Sequence, residues 1–297
     1  MSLISTCLLM HLALTSSSPT LLAELTHQGV RLHGGTVVRL PEPALADGID
    51  ATEQSTIVKR VAGKYPLDRF LRDAIVAPFV LDVNSVEDAG QRTGQRVDFY
   101  FVAYASLDAL LDEAALRDLF GMNESDSNLA TRQTIRALTA EELRARNLSP
   151  RNQADLLESY GVIDVPILER VRLSGIGFGA RRNTEESIIA AWKLDERFAN
   201  DPQFANQWRP IVRDAVGRDV LGPPQPYAGA GGYLKITRLI EPAGALFVEC
   251  HSVFDEPHGW FDGKNLLRSK LPLIVQDNVR TLRRKLANLS APESSAR

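Results

Sequence analysis

The sequence predicts one α+β domain, with a mainly antiparallel sheet in the C-terminal half, a long C-terminal helix packed on one face and short helices from the N-terminal half. Three observations carry this prediction. Residues 96–105 are rich in aromatic and β-branched side chains, which suit a buried pleated surface. Within residues 167–254, apolar and polar side chains alternate at period two between turn residues. Residues 272–289 repeat apolar side chains at helical spacing.

The first half of the chain is predicted to hold a hairpin and several short helices. Residues 29–40 alternate around Gly34 and Gly35, which permit the positive φ angles of a tight turn. Helices are predicted at residues 52–62, 67–75, 107–120, 139–146 and 149–161, and a polar loop at residues 85–95. Thr52 is the expected N-cap of the first helix, whereas Thr139 and Glu142 match a capping box.

The second half is predicted as antiparallel strands. They occupy residues 167–180, 187–194, 232–240 and 245–254, with a polar turn at 181–185 and a Pro- and Gly-rich loop at 222–232. Residues 241–244 are a connection of hairpin length. Antiparallel pairing of neighbouring strands follows, because short connections cannot make a parallel crossover.

Pro272 is predicted to open the final helix. Its apolar residues recur at intervals of four, three, four and three, namely Val275, Val279, Leu282, Leu286 and Leu289. This single stripe requires a partner surface, and the preceding strands are the expected one. The basic residues of this region are interpreted as the solvated face of a docked helix.

The order of these elements, short helices followed by antiparallel strands and a long last helix, resembles helix-grip lipid-binding folds. The resemblance is one of architecture and covers the C-terminal half. It implies no particular ligand and assigns no residue of this sequence a role.

Composition excludes several classes of protein. The 297 residues are 44% hydrophobic and 24% charged, which is ordinary for a folded globular chain. The formal net charge of −3 indicates no nucleic-acid partner, and no cofactor motif is present. No apolar run reaches the roughly 20 residues that cross a bilayer, so a soluble protein without a transmembrane segment is expected.

The N-terminus resembles a secretory signal. An apolar stretch at residues 8–14 precedes a small polar cluster at residues 15–18, with possible cleavage near Ser17 or Ala23. His11 and the absence of an earlier Lys or Arg argue against a signal and leave a loosely docked arm as the alternative. The expected organisation is a signal peptide at 1–23, a single domain at 24–290, a disordered tail at 291–297, and export to the periplasm or the extracellular space.

The densest group of chemically active side chains lies near residue 250. Glu249 and His251 project from the same face of a predicted strand, and Asp255 and His258 follow them. Carboxylate and imidazole groups could serve as general acid and base or bind a divalent metal. The spacing of the histidines matches no metal motif, and a solvated sheet face followed by a turn explains the same residues.

Other motifs favour structural interpretations. Gly175, Gly177 and Gly179 have the wrong spacing for a dinucleotide fingerprint, and an alternating strand follows them instead of a helix. Cys250 lies on the more apolar strand face and is predicted to be a buried, inert thiol. The three tryptophans, Trp192, Trp208 and Trp260, are predicted to be anchors in the core or at its rim.

Two hypotheses of function remain. The first is an exported, non-catalytic protein that binds a small molecule or a protein partner, since no catalytic constellation stands out from the sequence. The alternative is a hydrolase or metal-dependent enzyme that uses Glu249, His251, Asp255 and His258. Neither hypothesis identifies a ligand or a substrate.

Overall fold

The computed structural model describes residues 20–111, 134–153, 156–257, 260–263 and 266–290. These residues form an α+β fold with a large antiparallel sheet, and the C-terminal helix packs on one of its faces. The predicted fold class is therefore confirmed. The predicted tail at 291–297 and most of the predicted signal peptide lie outside the described residues.

The described part of the chain contains fourteen strands and five α-helices. The strands are β1 (Val30–Arg31), β2 (Val37–Val38), β3 (Phe79–Asp88), β4 (Gln91–Tyr104), β5 (Thr134–Ala137), β6 (Asn152–Gln153), β7 (Leu156–Ile167), β8 (Val171–Asn183), β9 (Ser187–Leu194), β10 (Gln207–Arg213), β11 (Asp219–Leu221), β12 (Gln225–Pro226), β13 (Ala230–Arg238) and β14 (Ala245–Asp255). The helices are α1 (Thr20–Ala23), which continues as a π-helical turn (Glu24–Gln28), α2 (Ala51–Ala62), α3 (Leu67–Phe70), α4 (Ala140–Ala145) and α5 (Leu266–Ser290).

The large sheet runs in the order β3-β4-β14-β13-β9-β8-β7, and every pair in it is antiparallel. Strands β5 and β6 pair with the far edge of β7. Strand β10 pairs with the first four residues of β8, beyond the point where β9 ends. Strands β11 and β12 pair in turn with β10. Strands β1 and β2 form the small N-terminal hairpin that the sequence predicts.

Each strand of the sheet presents alternate residues to two covered faces. On the face that we call inner, Leu246, Val248 and Cys250 of β14 join a large apolar core with α5. On the opposite, outer face, Phe247 packs with α2, α3 and the segment that precedes them. Because both faces are covered, β14 is buried along its whole length.

Helix α5 buries the predicted apolar stripe against the inner face. Leu267, Leu271, Val275, Val279 and Leu286 are each at most 2% exposed and belong to the same core as the strands. The helix begins at Leu266, six residues before the predicted start, so Pro272 lies inside it. The prediction that the last helix covers the sheet is confirmed.

One basic residue of α5 departs from the predicted solvated face. Arg283 is 6% exposed, and its guanidinium donates hydrogen bonds to four backbone carbonyls. The acceptors are Val102 at 2.9 Å, Ala77 at 2.6 Å, Pro78 at 3.1 Å and Ile75 at 3.3 Å. Burial lowers the pKa of Arg283 to about 10. This side chain therefore fastens the C-terminal half of α5 to the edge of the sheet where β3 begins.

The segment at residues 41–47, which we call the strap, crosses the outer face and leads into α2. Side chains of the sheet hold its backbone: Tyr233 donates to the Pro41 carbonyl at 2.8 Å, and Lys235 to the Leu45 carbonyl at 2.6 Å. Helix α2 is confirmed, but its N-cap is Asp50, which accepts from the Glu53 N–H at 2.9 Å, rather than Thr52.

Several predicted elements differ from the structure. Residues 149–161 were expected to be helical but enter β7, and residues 85–95 form a β3–β4 hairpin rather than a loop. The β3–β4 turn is Ala89-Gly90, with φ angles of 47° and 77° that suit a tight hairpin. The predicted strand at 167–180 begins at Val171, after a turn, and the predicted helix at 67–75 is a single turn.

Residues 156–161 have a helical sequence pattern but form part of strand β7, because β7 pairs with other strands along both of its edges. Strand β8 pairs along its whole length, and β5 and β6 pair on the other edge. A Cβ on Gly161 would lie 2.9 Å from the Arg136 carbonyl oxygen, so this glycine permits the close approach of β5. Helix α4 carries the predicted capping box between Thr139 and Glu142. The predicted helix at 107–120 lies mostly outside the described residues.

Candidate functional site

A small apolar cavity lies between the inner face of the sheet and the first half of α5. Its volume is about 40 Å³, room for roughly three water molecules by the usual measure of one per 10–15 Å³. Its wall includes Ile163, Leu173, Trp192, Ser252, Leu267 and Ile274. The cavity is the natural candidate site, because ligand pockets are concave, mostly apolar and carry few polar groups.

The sheet and the helix supply different parts of the cavity wall. Strands β7, β8, β9, β13 and β14 contribute one side, and the turn between β7 and β8 contributes Leu168. Helix α5 contributes Leu267 and Ile274, which lie on either side of Pro272. The first half of the helix thus closes the cavity over the strand surface.

Aromatic side chains line and support one end of the cavity. Tyr227 belongs to the wall and stacks on Trp260, with ring centroids 5.7 Å apart and planes 9° apart. Trp208 meets Trp260 edge-on at 6.0 Å. The Tyr227 hydroxyl donates to the Asp255 carbonyl at 3.0 Å. All three tryptophans are buried, as predicted, but Trp192 also faces the cavity.

The predicted polar residues of β14 lie on the outer face, where they join a residue that the sequence reading missed. His251 Nδ1 lies 2.7 Å from Asp98 Oδ1, and His251 Nε2 lies 3.6 Å from Glu249 Oε2. Asp98 stands directly opposite His251 in the pairing of β4 with β14. The rings of Tyr100 and Tyr233 enclose the imidazole at centroid distances of 5.3 Å and 4.8 Å.

Burial of this cluster contradicts the predicted solvated sheet face. Glu249 and His251 are both 0% exposed, and Asp98 is 5% exposed. The strap covers them, and Glu249 Oε2 accepts a hydrogen bond from the Ala44 N–H at 2.7 Å. The polar residues on this face of β14 predicted exposure to solvent. The sequence does not show that the strap, an earlier segment of the chain, covers this face. In this arrangement a substrate reaches His251 only after the strap leaves the sheet.

The electrostatics of the cluster favour a protonated imidazole. Burial acts to lower the pKa of His251, but the hydrogen bond with Asp98 and the nearby Glu249 carboxylate, 3.6 Å from Nε2, outweigh it and raise that pKa above its ordinary value. Burial also raises the pKa of Tyr100, with Asp98 and Glu249 adding to the effect. The cluster is a buried group of one imidazole and two carboxyl side chains, and Glu249 also holds the strap.

Asp255 lies apart from this cluster, four residues further along β14, or about 13 Å at strand spacing. Its Oδ1 accepts from the His33 N–H of the N-terminal hairpin at 2.9 Å. Burial raises the pKa of Asp255 to about 6, against the opposing effect of the His33 N–H. His258 lies outside the described residues. The structure therefore brings Glu249 and His251 together and separates Asp255 from them.

The glycines of β8 have a packing role. Gly175, Gly177 and Gly179 all lie within the strand. A Cβ on Gly175 would lie 2.3 Å from Asn206 Oδ1, an amide oxygen that accepts from the Ile176 N–H at 3.1 Å. The strand pattern predicted here is confirmed. Cys250 is also confirmed as a buried thiol.

A polar groove lies close to the cavity, between the first helical turns and β9, and shares Leu194 with the cavity wall. Its volume is about 150 Å³, and Gln28, Arg31 and Glu196 line it. Lys193 and Glu24 form an ion pair across it, with Nζ and Oε1 2.5 Å apart. The charges of this groove balance, so they select no ligand of either sign.

Among the described residues, no group of three or more His, Cys, Asp or Glu side chains is arranged to hold a metal ion. In the same residues, no helix has the length and apolar character needed to span a membrane.

Comparisons with known proteins give distant structural likenesses and no match in sequence. No family model matches the sequence, and no curated protein is significantly similar to it. Among solved structures, the chain is similar to the human StarD13 (DLC2) lipid transfer and protein localization domain, with a TM-score of 0.36, 7% identity, and coverage of 69% of this chain and 84% of that one. It is also similar to human STARD10, with a TM-score of 0.35, 12% identity, and coverage of 83% and 86%. At these scores, neither likeness assigns this chain a ligand or an activity.

Proposed function

We propose that this chain is a non-catalytic binding protein that holds a small apolar molecule between the sheet and α5. One observation carries the proposal: a cavity with a mainly apolar wall lies between the strands and the first half of α5. Apolar molecules enter such a cavity because their transfer from water contributes about 25 cal/mol for each Å² buried. The resting volume of about 40 Å³ is well below the roughly 150 Å³ of an apolar cavity that holds benzene, so binding requires α5 to shift outward from the sheet.

Titration with hexane tests this function directly. Hexane has no polar atom, so any specific binding reports the apolar wall alone. In a protein labelled with ¹⁵N, we expect saturable shifts of the indole signal of Trp192 and of the amides of Leu173 and Leu267. Native mass spectrometry of freshly purified protein gives a second readout, since a retained apolar molecule would identify the natural ligand class.

Two results would overturn the proposal. One is the absence of saturable shifts with both hexane and a ketone of the same size. The other is turnover of a substrate that His251→Ala abolishes while the protein stays folded, which would favour the enzyme alternative. Retention of hexane binding in a folded His251→Ala protein would place the site on the inner face.

Export remains part of the proposal and has its own support in the N-terminal pattern. Leu21 and Leu25 of the first helical turns are 1% and 0% exposed and pack in an apolar cluster with strand residues such as Tyr233 and Val253. We therefore propose processing near Ser17 rather than Ala23, which keeps Leu21 in the core. N-terminal sequencing of protein from the producing cells tests this, and a mature chain that begins after Ala23 or at Met1 would contradict it.

A further inference from the structure

The cavity wall contains one hydrogen-bond donor that the protein leaves unused. Trp192 is 5% exposed, and its Nε1 has no hydrogen-bond partner among the described residues. A buried N–H without an acceptor costs about 1–3 kcal/mol, so native proteins rarely keep one without a reason. Trp192 also belongs to the cavity wall, which makes a bound molecule the natural source of an acceptor.

Gly232 fixes the position of this donor. Trp192, Gly232 and Ser252 stand side by side on three neighbouring strands, β9, β13 and β14. A Cβ on Gly232 would lie 3.0 Å from Trp192 Nε1 and 3.1 Å from Ser252 Cβ. The missing side chain therefore leaves room for the indole edge, and the Nε1–H and the Ser252 side chain border the same space.

The rest of the wall limits the kind of acceptor. No charged side chain occurs among the described residues of the wall, and the remaining side chains are mainly apolar. An ionised group would have to leave water without a counter-charge, which costs far more than one hydrogen bond returns. A neutral oxygen atom avoids this cost and still accepts a hydrogen bond from the indole N–H. Where the oxygen carries a proton, it can also donate to the Ser252 hydroxyl.

We propose that the cavity is selective for an uncharged molecule with an apolar body and one oxygen acceptor, such as a ketone, ether, ester or alcohol, which Trp192 Nε1–H and Ser252 recognise. This inference rests on the proposed function and gives its ligand class. Trp192 acts as a specificity residue, and the apolar wall supplies most of the affinity.

The test compares hexane with 2-pentanone, which has the same number of non-hydrogen atoms and one carbonyl oxygen. Binding of each is measured by NMR titration in the wild-type chain and in Trp192→Phe, which keeps an aromatic ring and removes the donor. We expect Trp192→Phe to weaken 2-pentanone binding about threefold to tenfold, the equivalent of one net hydrogen bond. Hexane affinity is expected to stay within about twofold, because hexane makes no hydrogen bond.

The indole signal of Trp192 gives a direct readout of the contact. Its N–H proton should move downfield on binding 2-pentanone and should not do so on binding hexane. Trp260→Phe is the matched control, because Trp260 Nε1 is also buried without a partner among the described residues but is not assigned to the cavity wall. This control should leave the ratio of the two affinities unchanged.

The outcomes separate the two proposals. If neither probe binds, the proposed function fails. If both bind and Trp192→Phe weakens them equally, or if the Trp192 proton does not move with 2-pentanone, the cavity is apolar without selectivity and a water molecule serves the donor. Ser252→Ala checks the result should Trp192→Phe fail to fold, and it should weaken 1-butanol more than hexane.

Discussion

The two faces of the sheet are covered in opposite ways. On the outer face, polar side chains rise from the strands and hold the backbone of the strap: Tyr233, Lys235 and Glu249 each bond one of its peptide groups. On the inner face, α5 lies on the sheet through an apolar stripe, and its chief polar attachment to the sheet edge is Arg283. Arg283 is nine residues, or about 14 Å, beyond Ile274 at the cavity.

This difference indicates which of the two covers can move at the lower cost in free energy. A polar cover resists displacement, because every broken contact leaves a buried donor or acceptor unpaired. An apolar cover that slides exchanges one set of dispersion contacts for another. The residues with the most reactive side chains therefore sit under the fixed cover, and the cavity sits under the adjustable one.

His251→Ala should lower the free energy of unfolding by about 3–5 kcal/mol, since it leaves the carboxylates of Asp98 and Glu249 buried without the imidazole. Urea denaturation measures this loss. Glu249→Gln is the conservative companion, because its amide oxygen can still accept from the Ala44 N–H. A loss below about 1 kcal/mol in His251→Ala would contradict the idea of a fixed outer cover.

Arg283→Met should cost about 2–3 kcal/mol, because it leaves buried carbonyls at the edge of the sheet without a donor. The neighbouring Arg284 is exposed and provides the control: Arg284→Met should change stability by less than about 0.5 kcal/mol. Chemical denaturation compares the two variants. Equal effects would show that Arg283 does not anchor the helix.

The free energy of unfolding should fall as pH rises, because two buried groups of the outer face have raised pKa values. The folded pKa of Asp255, about 6, lies above its unfolded value, so the folded state binds the extra proton and stability falls between about pH 4 and 6. His251, whose pKa is also raised, adds stability below its unfolded pKa of about 6.5 and loses it as pH rises further. Asp255→Asn should remove the lower part of this slope, by about 1–2 kcal/mol. An unchanged slope in urea unfolding from pH 4 to 7 would contradict this.

Ala230→Leu tests the inner face with the smallest effect on stability. Ala230 lines the cavity, so a larger side chain should enter it, weaken hexane binding at least tenfold and change stability by less than about 1 kcal/mol. Ala103 lies in the same core but is not assigned to the cavity wall. Ala103→Leu should therefore cost about 1–3 kcal/mol by overpacking while hexane still binds. Similar stability losses in both variants would show that the cavity has no usable space.

The sequence predicted those elements whose pattern is local. Three elements were predicted from local sequence pattern and are confirmed: the strand around residues 96–105, the β13–β14 hairpin and the apolar stripe of α5. The first half of β7, residues 156–161, was misread as helix, because its partners in β8 are 16–26 positions away and Ala137 of β5 is 24 positions from Gly161. Strands β10 and β11 were not predicted, because short polar strands give no clear alternation.

The candidate site was harder to predict for the same reason. Glu249 and His251 attracted attention as a catalytic pair, but only the return of the strap determines that they are buried. Asp98 has no local signal and is found by cross-strand register alone. The cavity wall consists mainly of common apolar residues. Gly232 contributes by its lack of a side chain, which leaves room for the indole of Trp192 on the neighbouring strand. No motif records such an absence of side chain.

Pro272 gives α5 a natural pivot. Proline has no N–H, so the hydrogen-bond ladder of the helix is interrupted next to the cavity, while Arg283 fastens the remainder. An outward movement of the short flap formed by residues 266–271, about 9 Å long, would expose Leu267 and Leu271 but would leave the anchored part folded. Hydrogen exchange during entry of a longer ketone should rise in this flap, whereas a rise along the entire helix would argue against a pivot. The reach of the flap, rather than the resting volume of the cavity, would then set the largest molecule that this protein admits.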